Sequence, residues 1–187
     1  MTACALGVTL GSACPPPPGG DAPGDDDGHD GAVDCEDPAP QLAVGTGSEA
    51  FEGLEEGGEV TIWRGPQGGW HVYGSLVAAH LDPFVDIWFS IHDVPSATLV
   101  SEQSFRVQLH QPDECHGENV GMLGIFDPGL YGPLQGGDPT LTPCDLFAGH
   151  ALDLRMEVTE ALTDERISLA DEVRVTAVLA EDCWPEE

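Results

Sequence analysis

Alternation of apolar and polar residues with a period of two is the feature of this chain that most restricts its fold. In residues 85–92, valine, isoleucine and phenylalanine occupy the odd positions, and most of the even positions are polar. The same alternation occurs at 105–110, 152–158 and 173–177. Successive side chains of a strand point to opposite faces, so each segment has one dry face and one wet face. The pattern predicts half-buried strands of antiparallel sheets.

Glycine and proline turns separate these segments from several other short strands. Further strands are expected at 41–44, 59–64, 70–79 and, more weakly, 120–126. The sequence Gly-Pro-Gln-Gly-Gly at 65–69 predicts a hairpin. No long helical periodicity is present, and a single helical turn is expected at 160–166. The chain therefore predicts an all-β fold, an antiparallel sandwich of about 7–9 strands.

The charge of the chain is strongly one-sided. Its 187 residues carry a formal net charge of −29, and no lysine is present. The basic residues are Arg64, Arg106, Arg155, Arg166 and Arg174. Nucleic-acid binding and electrostatic attachment to anionic lipid both require a basic surface. The composition therefore excludes these two modes of binding, and any attachment to a membrane is expected to use a covalent lipid.

An apolar run of small residues ends at Cys14. This arrangement resembles the end of a bacterial lipoprotein signal peptide, although the leucine of the lipoprotein box stands one place early, at Leu10. We expect residues 1–13 to be a signal-peptide remnant whose charged leader lies upstream, and Cys14 to carry the lipid. The resemblance implies a location in the bacterial cell envelope, as an outer-membrane lipoprotein or on a periplasmic or extracellular face. Lipidation at Cys4 and a cytoplasmic protein with a frayed N-terminus are the alternatives.

Residues 14–37 are predicted to be a flexible acidic stalk. Four consecutive prolines after Cys14 favour an extended polyproline II spacer. The aspartate- and glycine-rich residues that follow carry too little apolar mass to offset the entropy of ordering. The folded β-domain is then expected to cover residues 38–187.

The acidic stalk also contains a candidate calcium loop. Its carboxylates follow the spacing of the first, fifth, ninth and twelfth ligand positions of an EF-hand loop, at Asp26, Asp30, Asp34 and Asp37. The segment resembles EF-hand-type and thrombospondin type 3 calcium loops. It departs from them at the third position, where Gly28 has no side-chain oxygen. This loop therefore suggests calcium as a cofactor.

Four cysteines follow the stalk, at positions 35, 115, 144 and 183. An even number in an exported chain predicts two disulfides, for which three connectivities are possible. The preferred pairing is Cys35 with Cys183, joining the first strand to the last, and Cys115 with Cys144, closing the middle of the chain. Each bond would stabilise the fold by roughly 2–4 kcal/mol. No CxxC motif is present, so zinc-ribbon and thioredoxin-like sites are not predicted.

Two segments resemble known bacterial proteins. The hairpin expected at 149–179, with its acidic turn and valine-rich final strand, is similar to the last strand pair of bacterial immunoglobulin-like domains. The segment Gly-Pro-Gln-Gly-Gly-Trp-His at 65–71 resembles uncharacterised lipoproteins common in myxobacteria-type genomes. These resemblances imply an immunoglobulin-like β-sandwich on a lipid anchor, and they imply no activity.

Histidines and one tryptophan are the candidate binding residues of the domain. His92 and His110 occupy the wet parity of two consecutive predicted strands, so they are expected to lie close enough to share copper or zinc with His71. Trp88 occupies a polar-facing position, where an exposed ring could stack on a sugar or contact a protein partner.

The sequence contains no catalytic signature. It has no Gly-x-Ser-x-Gly elbow, no phosphate-binding glycine loop and no lysine for Schiff-base chemistry. The expected function is that of a lipid-anchored envelope protein whose β-domain is a non-catalytic binding or structural module. The alternative is an envelope protein that binds a divalent metal, either calcium, copper or zinc.

Overall fold

The computed structural model describes residues 33–162 and 166–183, and this part of the chain is an all-β domain. Its strands are β1 (Gln41–Thr46), β2 (Glu52–Gly53), β3 (Glu59–Arg64), β4 (Trp70–Ala79), β5 (Phe84–Asp93), β6 (Thr98–Gln108), β7 (His116–Ile125), β8 (Ala151–Glu160) and β9 (Ser168–Leu179). Two short helices, α1 (Pro128–Tyr131) and α2 (Pro143–Phe147), lie between β7 and β8. The alternating segments form strands, although the one at 105–110 ends at Gln108, and this confirms the predicted all-β class.

The described strands form one curled sheet that folds over itself. Its order is β2-β1-β4-β3-β9-β8-β5-β6, and β7 pairs with the other edge of β4. β3 connects the two halves, because its end at Trp63 and Arg64 pairs with β4 while residues 59–62 pair with β9. The β3–β9 pairing is parallel. The expectation of a wholly antiparallel sandwich is therefore wrong in this respect, and the sheet is mixed.

The hairpin predicted at the glycine-rich turn is confirmed. The N–H of Gly65 donates to the carbonyl of Gly69 at 2.7 Å, and Gly68 adopts a φ of +83° that suits glycine. The strands on either side, β3 and β4, pair through Trp63 with His71 and through Arg64 with Trp70. This turn therefore places the side chains of Trp63, Trp70 and His71 at one end of the sheet.

The core lies between the β4–β7 half of the sheet and the β5–β8 half. Phe89 and Ile91 of β5 and Met156 of β8 are fully buried there. They face Gly74 of β4 and Gly124 of β7, where missing side chains leave room for the large ones. The odd-numbered residues of β5 thus supply the dry face that the alternation predicts.

The disulfide pairing differs from the preferred one. Cys35 is bonded to Cys115, with a Cα–Cα distance of 6.0 Å, and Cys144 is bonded to Cys183, at 6.1 Å. Two disulfides are confirmed, but the pairings Cys35–Cys183 and Cys115–Cys144 are wrong. The reason is the position of β7: the starts of β1 and β7 both pair with the end of β4 at Ala79, so the cysteines preceding these strands meet.

Several sequence-based expectations fall outside the described residues. Cys14, Cys4 and the signal-peptide remnant 1–13 lie there, as do residues 14–32 of the stalk. The helical turn expected at 160–166 includes residues 163–165, which are not described, and Glu160 belongs to β8. None of the helices among the described residues is long and apolar enough to cross a membrane.

Candidate functional site

Trp88 lies at the middle of the outer face of the β9-β8-β5-β6 half of the sheet. Its backbone pairs with Ser104 of β6 on one side and with Glu157 of β8 on the other. The side chain is half-buried, and its indole Nε1 donates to Oε1 of Glu102 at 2.8 Å. This hydrogen bond fixes the ring on the sheet surface, at the polar-facing position that the sequence indicates.

Two open hollows flank this tryptophan. They have volumes of about 590 and 470 Å³, and Trp88 and Glu157 line both. The first also contains Asp86 and Arg106, and the second also contains Asp153 and Arg155; the remaining polar lining residues are Ser104, Thr159, His92, Asp93 and Glu172. An aromatic ring between two polar hollows is suited to a ligand with both an apolar ring face and many hydroxyl groups.

Carboxylates hold the guanidinium groups of this face. Arg106 donates to both oxygens of Asp86, at 2.6 and 2.8 Å, and Arg174 donates to both oxygens of Asp153, at 2.7 and 3.0 Å. Arg155 donates to Glu157 at 2.7 Å. The hydrogen bond from Arg106 lowers the pKa of the Asp86 carboxyl. These pairs leave the face with acceptor oxygens and with cations that already have partners, which favours neutral ligands over anionic ones.

A second aromatic cluster lies on the outer face of the other half of the sheet. Trp63, His71 and Ile125 form one row across β3, β4 and β7, and Tyr73 pairs with Leu123 in the next row. The Tyr73 ring makes edge contacts with both Trp63 and His71. Trp63, Leu123 and Ile125 are each about 40% exposed, at 41%, 38% and 42%. An open hollow of about 380 Å³ borders this cluster, and its lining is mostly apolar, unlike that of the hollows that flank Trp88.

The predicted strand histidines do not assemble into one metal site. In the β5–β6 ladder His92 pairs with Leu99, whereas Phe84, at the opposite end of the ladder, pairs with Gln108. His110 lies two residues beyond Gln108, so His92 and His110 lie at opposite ends of the ladder, roughly 30 Å apart for the nine residues from Leu99 to Gln108 at about 3.3 Å per residue. His71 belongs to β4 in the other half of the sheet and is 9% exposed. The expectation that these histidines share an ion is therefore wrong, because His92 lies beside the β5–β6 turn and His110 lies beyond the far end of the same hairpin.

The candidate calcium loop is described only at its end. Asp26 and Asp30 lie outside the described residues. The side chains of Asp34 and Asp37 each accept the backbone N–H two residues later, from Glu36 at 2.9 Å and from Ala39 at 3.0 Å. These are local Asx turns, and calcium binding by the loop stays a prediction.

A cysteine–histidine cluster lies beside the described end of the stalk, and the sequence reasoning missed it. The ligand atoms of Cys35, Cys115 and His116 lie within 4.8 Å of one another. Nε2 of His116 is 3.2 Å from Sγ of Cys35, and Nε2 of His80 is 3.8 Å from Sγ of Cys115. The dipeptide Cys115-His116 was the signal available in the sequence, but its partners depend on how β4 and β7 pair.

Asp113 orders this cluster. Its Oδ2 lies 2.7 Å from Nδ1 of His116, and its Oδ1 accepts the backbone N–H groups of Cys115 and His116 at 2.8 and 2.7 Å. These hydrogen bonds, chiefly that with the His116 side chain, lower the pKa of Asp113 to about 2. An ionised Asp113 therefore holds the imidazole beside Cys35, whose Sγ lies 3.2 Å from Nε2 and 3.5 Å from Nδ1.

A buried aspartate at the β5–β6 turn contacts both a serine and a histidine. Asp93 is 1% exposed and accepts from both the backbone N–H and the hydroxyl of Ser96, and its Oδ1 lies 2.8 Å from Nδ1 of His150. The hydroxyl thus contacts the carboxylate instead of the imidazole, which is not the order that activates a serine nucleophile.

Comparison with known proteins gives no family. No protein-family profile matches the chain, and no curated protein matches it. Among solved structures, the chain is similar to the CooA pilin subunit of enterotoxigenic Escherichia coli, with 10% sequence identity and a TM-score of 0.34. The match covers 74% of this chain and 99% of the pilin subunit.

Proposed function

We propose that this chain is a lipid-anchored protein of the bacterial cell envelope whose β-domain is a non-catalytic binding module. Its ligand is a neutral oligosaccharide that lies across Trp88. The observation that supports this function best is the position of Trp88 between two polar hollows on one sheet face. A sugar ring stacks its apolar face on an indole, while its hydroxyl groups donate to nearby carboxylates.

The charge of this face supports a neutral ligand. Arg106, Arg155 and Arg174 are each held by a carboxylate, so an anionic sugar would have to break an ion pair to reach a guanidinium. The overall net charge of −29 also repels anions.

The domain topology that we propose is a variant of the immunoglobulin-like sandwich, in which β3 joins the two halves.

Titration calorimetry with neutral oligosaccharides tests the binding function. Candidate ligands are first found on a glycan array, and the affinity is then compared between wild type and Trp88→Ala. We expect the substitution to weaken binding by about tenfold, because it removes a stacking contact of about 1.4 kcal/mol. Trp63→Ala is the matched control, because Trp63 is an exposed tryptophan on the other half of the sheet. An array without binding, or equal weakening by both substitutions, would contradict this function.

Metabolic labelling tests the anchor separately. The full-length gene, including any upstream leader, is expressed in a bacterium that is fed an alkyne-tagged fatty acid. We expect the label on wild type and its loss in Cys14→Ser, whereas Cys4→Ser keeps it. Label that persists in Cys14→Ser would move the anchor to another residue, and its absence from wild type would remove the anchor from the proposal.

A further inference from the structure

The cysteine–histidine cluster contains the donor set of a zinc site. Two cysteine sulfurs and two imidazole nitrogens are ligands that tetrahedral zinc uses in structural sites. Cys35, Cys115 and His116 already lie together, and Nε2 of His80 is 3.8 Å from Sγ of Cys115. The backbone N–H of His80 also donates to the carbonyl of Cys115, at 3.2 Å, which ties the backbone of the fourth donor to Cys115.

The surroundings of His116 resemble the second shell of a metal site. A histidine that binds a metal commonly gives its other ring nitrogen to a carboxylate, which sets the tautomer and the ring orientation. Asp113 holds Nδ1 of His116 in this way, and the ring then lies against Sγ of Cys35, with Nε2 at 3.2 Å and Nδ1 at 3.5 Å from the sulfur. This order of carboxylate, imidazole and sulfur is in place while the two cysteines are oxidised.

The two disulfides differ in their access to a reductant. Cys144 and Cys183 are 1% and 3% exposed and belong to the core. Cys35 and Cys115 are half-buried at the surface, and Cys35 precedes β1 outside the sheet. Thiol–disulfide exchange requires a thiolate to approach a sulfur in line, so an accessible bond reacts first. The strand pairings of β1 and β7 with β4 involve neither of these two cysteines.

We propose that the Cys35–Cys115 disulfide is a redox-controlled zinc site. A dithiol reductant supplies two electrons, becomes a disulfide itself and leaves two thiols on Cys35 and Cys115. Zn²⁺ then binds both sulfurs as thiolates, releasing two protons, and binds Nε2 of His116 and of His80. The oxidised protein has no thiolate to offer and does not form this site. The bond therefore decides whether the domain binds zinc, independently of any ligand at Trp88.

Metal titration of the oxidised and reduced protein tests this proposal. The full chain is used with Cys4→Ser and Cys14→Ser, so that the four disulfide cysteines are the remaining ones. Mild treatment with dithiothreitol is followed by its removal under anaerobic conditions, and alkylation with mass mapping confirms that Cys35 and Cys115 are the open pair. Co²⁺ is added as a spectroscopic probe, and Zn²⁺ is then added to displace it. We expect one equivalent of Co²⁺ with thiolate charge-transfer bands in the reduced protein and none in the oxidised protein.

Single substitutions identify the ligands. His116→Ala should weaken zinc binding at least as strongly as Asp113→Asn, which should weaken it by about 10- to 100-fold through loss of the carboxylate partner. His92→Ala is the control and should leave the affinity unchanged, since His92 lies on the opposite half of the sheet. Equal metal binding by oxidised and reduced protein, or no effect of His116→Ala, would overturn the proposal. Far-UV circular dichroism of the reduced protein provides a check on folding: loss of the β signal would also overturn it, because the site requires β4 and β7 to stay paired.

Discussion

Phe89 lies in a recess that Gly74 leaves in the facing half of the sheet. A Cβ atom at Gly74 would stand 2.6 Å from Cε1 of Phe89 and 2.7 Å from Cε of Met156. Both side chains are fully buried, so neither can move aside without disturbing its neighbours. The absence of a side chain at position 74 therefore sets how closely the two halves approach.

The substitution Gly74→Ala is expected to destabilise the domain by about 1–3 kcal/mol through overpacking. Urea unfolding at neutral pH measures the change. Gly69→Ala is the control, because a Cβ there meets no atom within 4 Å, and its effect should stay within about 0.5 kcal/mol. A Gly74→Ala variant as stable as the control would show that the halves can separate at no cost.

A side chain of β9 completes the hydrogen bonding of β1. The backbone N–H of Val44 donates to Oδ2 of Asp171 at 2.9 Å, across two strands that are not paired with each other. Asp171→Ala leaves this N–H without its acceptor and is expected to cost about 1–3 kcal/mol. Asp171→Asn keeps an oxygen at the same place and should lose less. Thermal unfolding of the two variants distinguishes them, and equal losses would contradict the role of the acceptor.

The start of α2 makes part of the stability depend on pH. Oδ2 of Asp145 accepts the hydroxyl and the backbone N–H of Thr142, at 2.6 and 2.8 Å, and these bonds lower the pKa of Asp145. Because this pKa is lower in the folded state, the stabilisation is present above the unfolded value near pH 3.9 and is lost as the pH falls through the folded pKa.

Replacing Asp145 by Asn should therefore cost more stability at pH 7 than in acid. We expect a loss of about 1 kcal/mol at neutral pH, as for other residues at helix N-termini. Urea unfolding of wild type and Asp145→Asn at pH 7 and near pH 2.5 measures the difference. A difference that is unchanged or larger in acid would contradict the assigned sign.

The buried disulfide is expected to contribute strongly to stability. Cys144 and Cys183 are separated by 39 residues, and for a loop of this length loss of the cross-link costs about 3–4 kcal/mol. Guanidinium unfolding of the variant Cys144→Ala, Cys183→Ala measures this loss under conditions that keep Cys35 bonded to Cys115. An unchanged unfolding midpoint would show that core packing alone holds α2 against the end of β9.

The local sequence pattern was enough to predict the strands, but it did not predict which strands pair. The odd-numbered residues Val85, Ile87, Phe89 and Ile91 are all buried, because parity is a local property of a strand. The parallel contact of β3 with β9 depends on residues more than a hundred positions apart, and no local signal encodes it. The helices α1 and α2 have four and five residues, too few to show a helical period.

The same difference between local pattern and long-range pairing explains which candidate sites the sequence could predict. Trp88 could be recognised from the parity of its own strand, and the structure places it on the polar face. The distance between His92 and His110 depends on register, and the disulfide pairing depends on which strands lie beside β4. The cluster of Cys35, Cys115 and His116 depends on both the disulfide pairing and the position of β7, so the sequence alone does not predict it.

The two disulfides also determine how the oxidised domain can respond to mechanical force. A pull applied between the N-terminal side of Cys35 and the C-terminal side of Cys183 passes through the bond to Cys115 and bypasses the strands β1 to β6. It then crosses residues 116–143 and passes from Cys144 to Cys183, bypassing β8 and β9. The only stretch that can extend is β7 with the helical segment after it, so most of the domain is excluded from the load path. Reduction of the Cys35–Cys115 bond would place β1 to β6 in that path and lengthen the chain that a given force can extend.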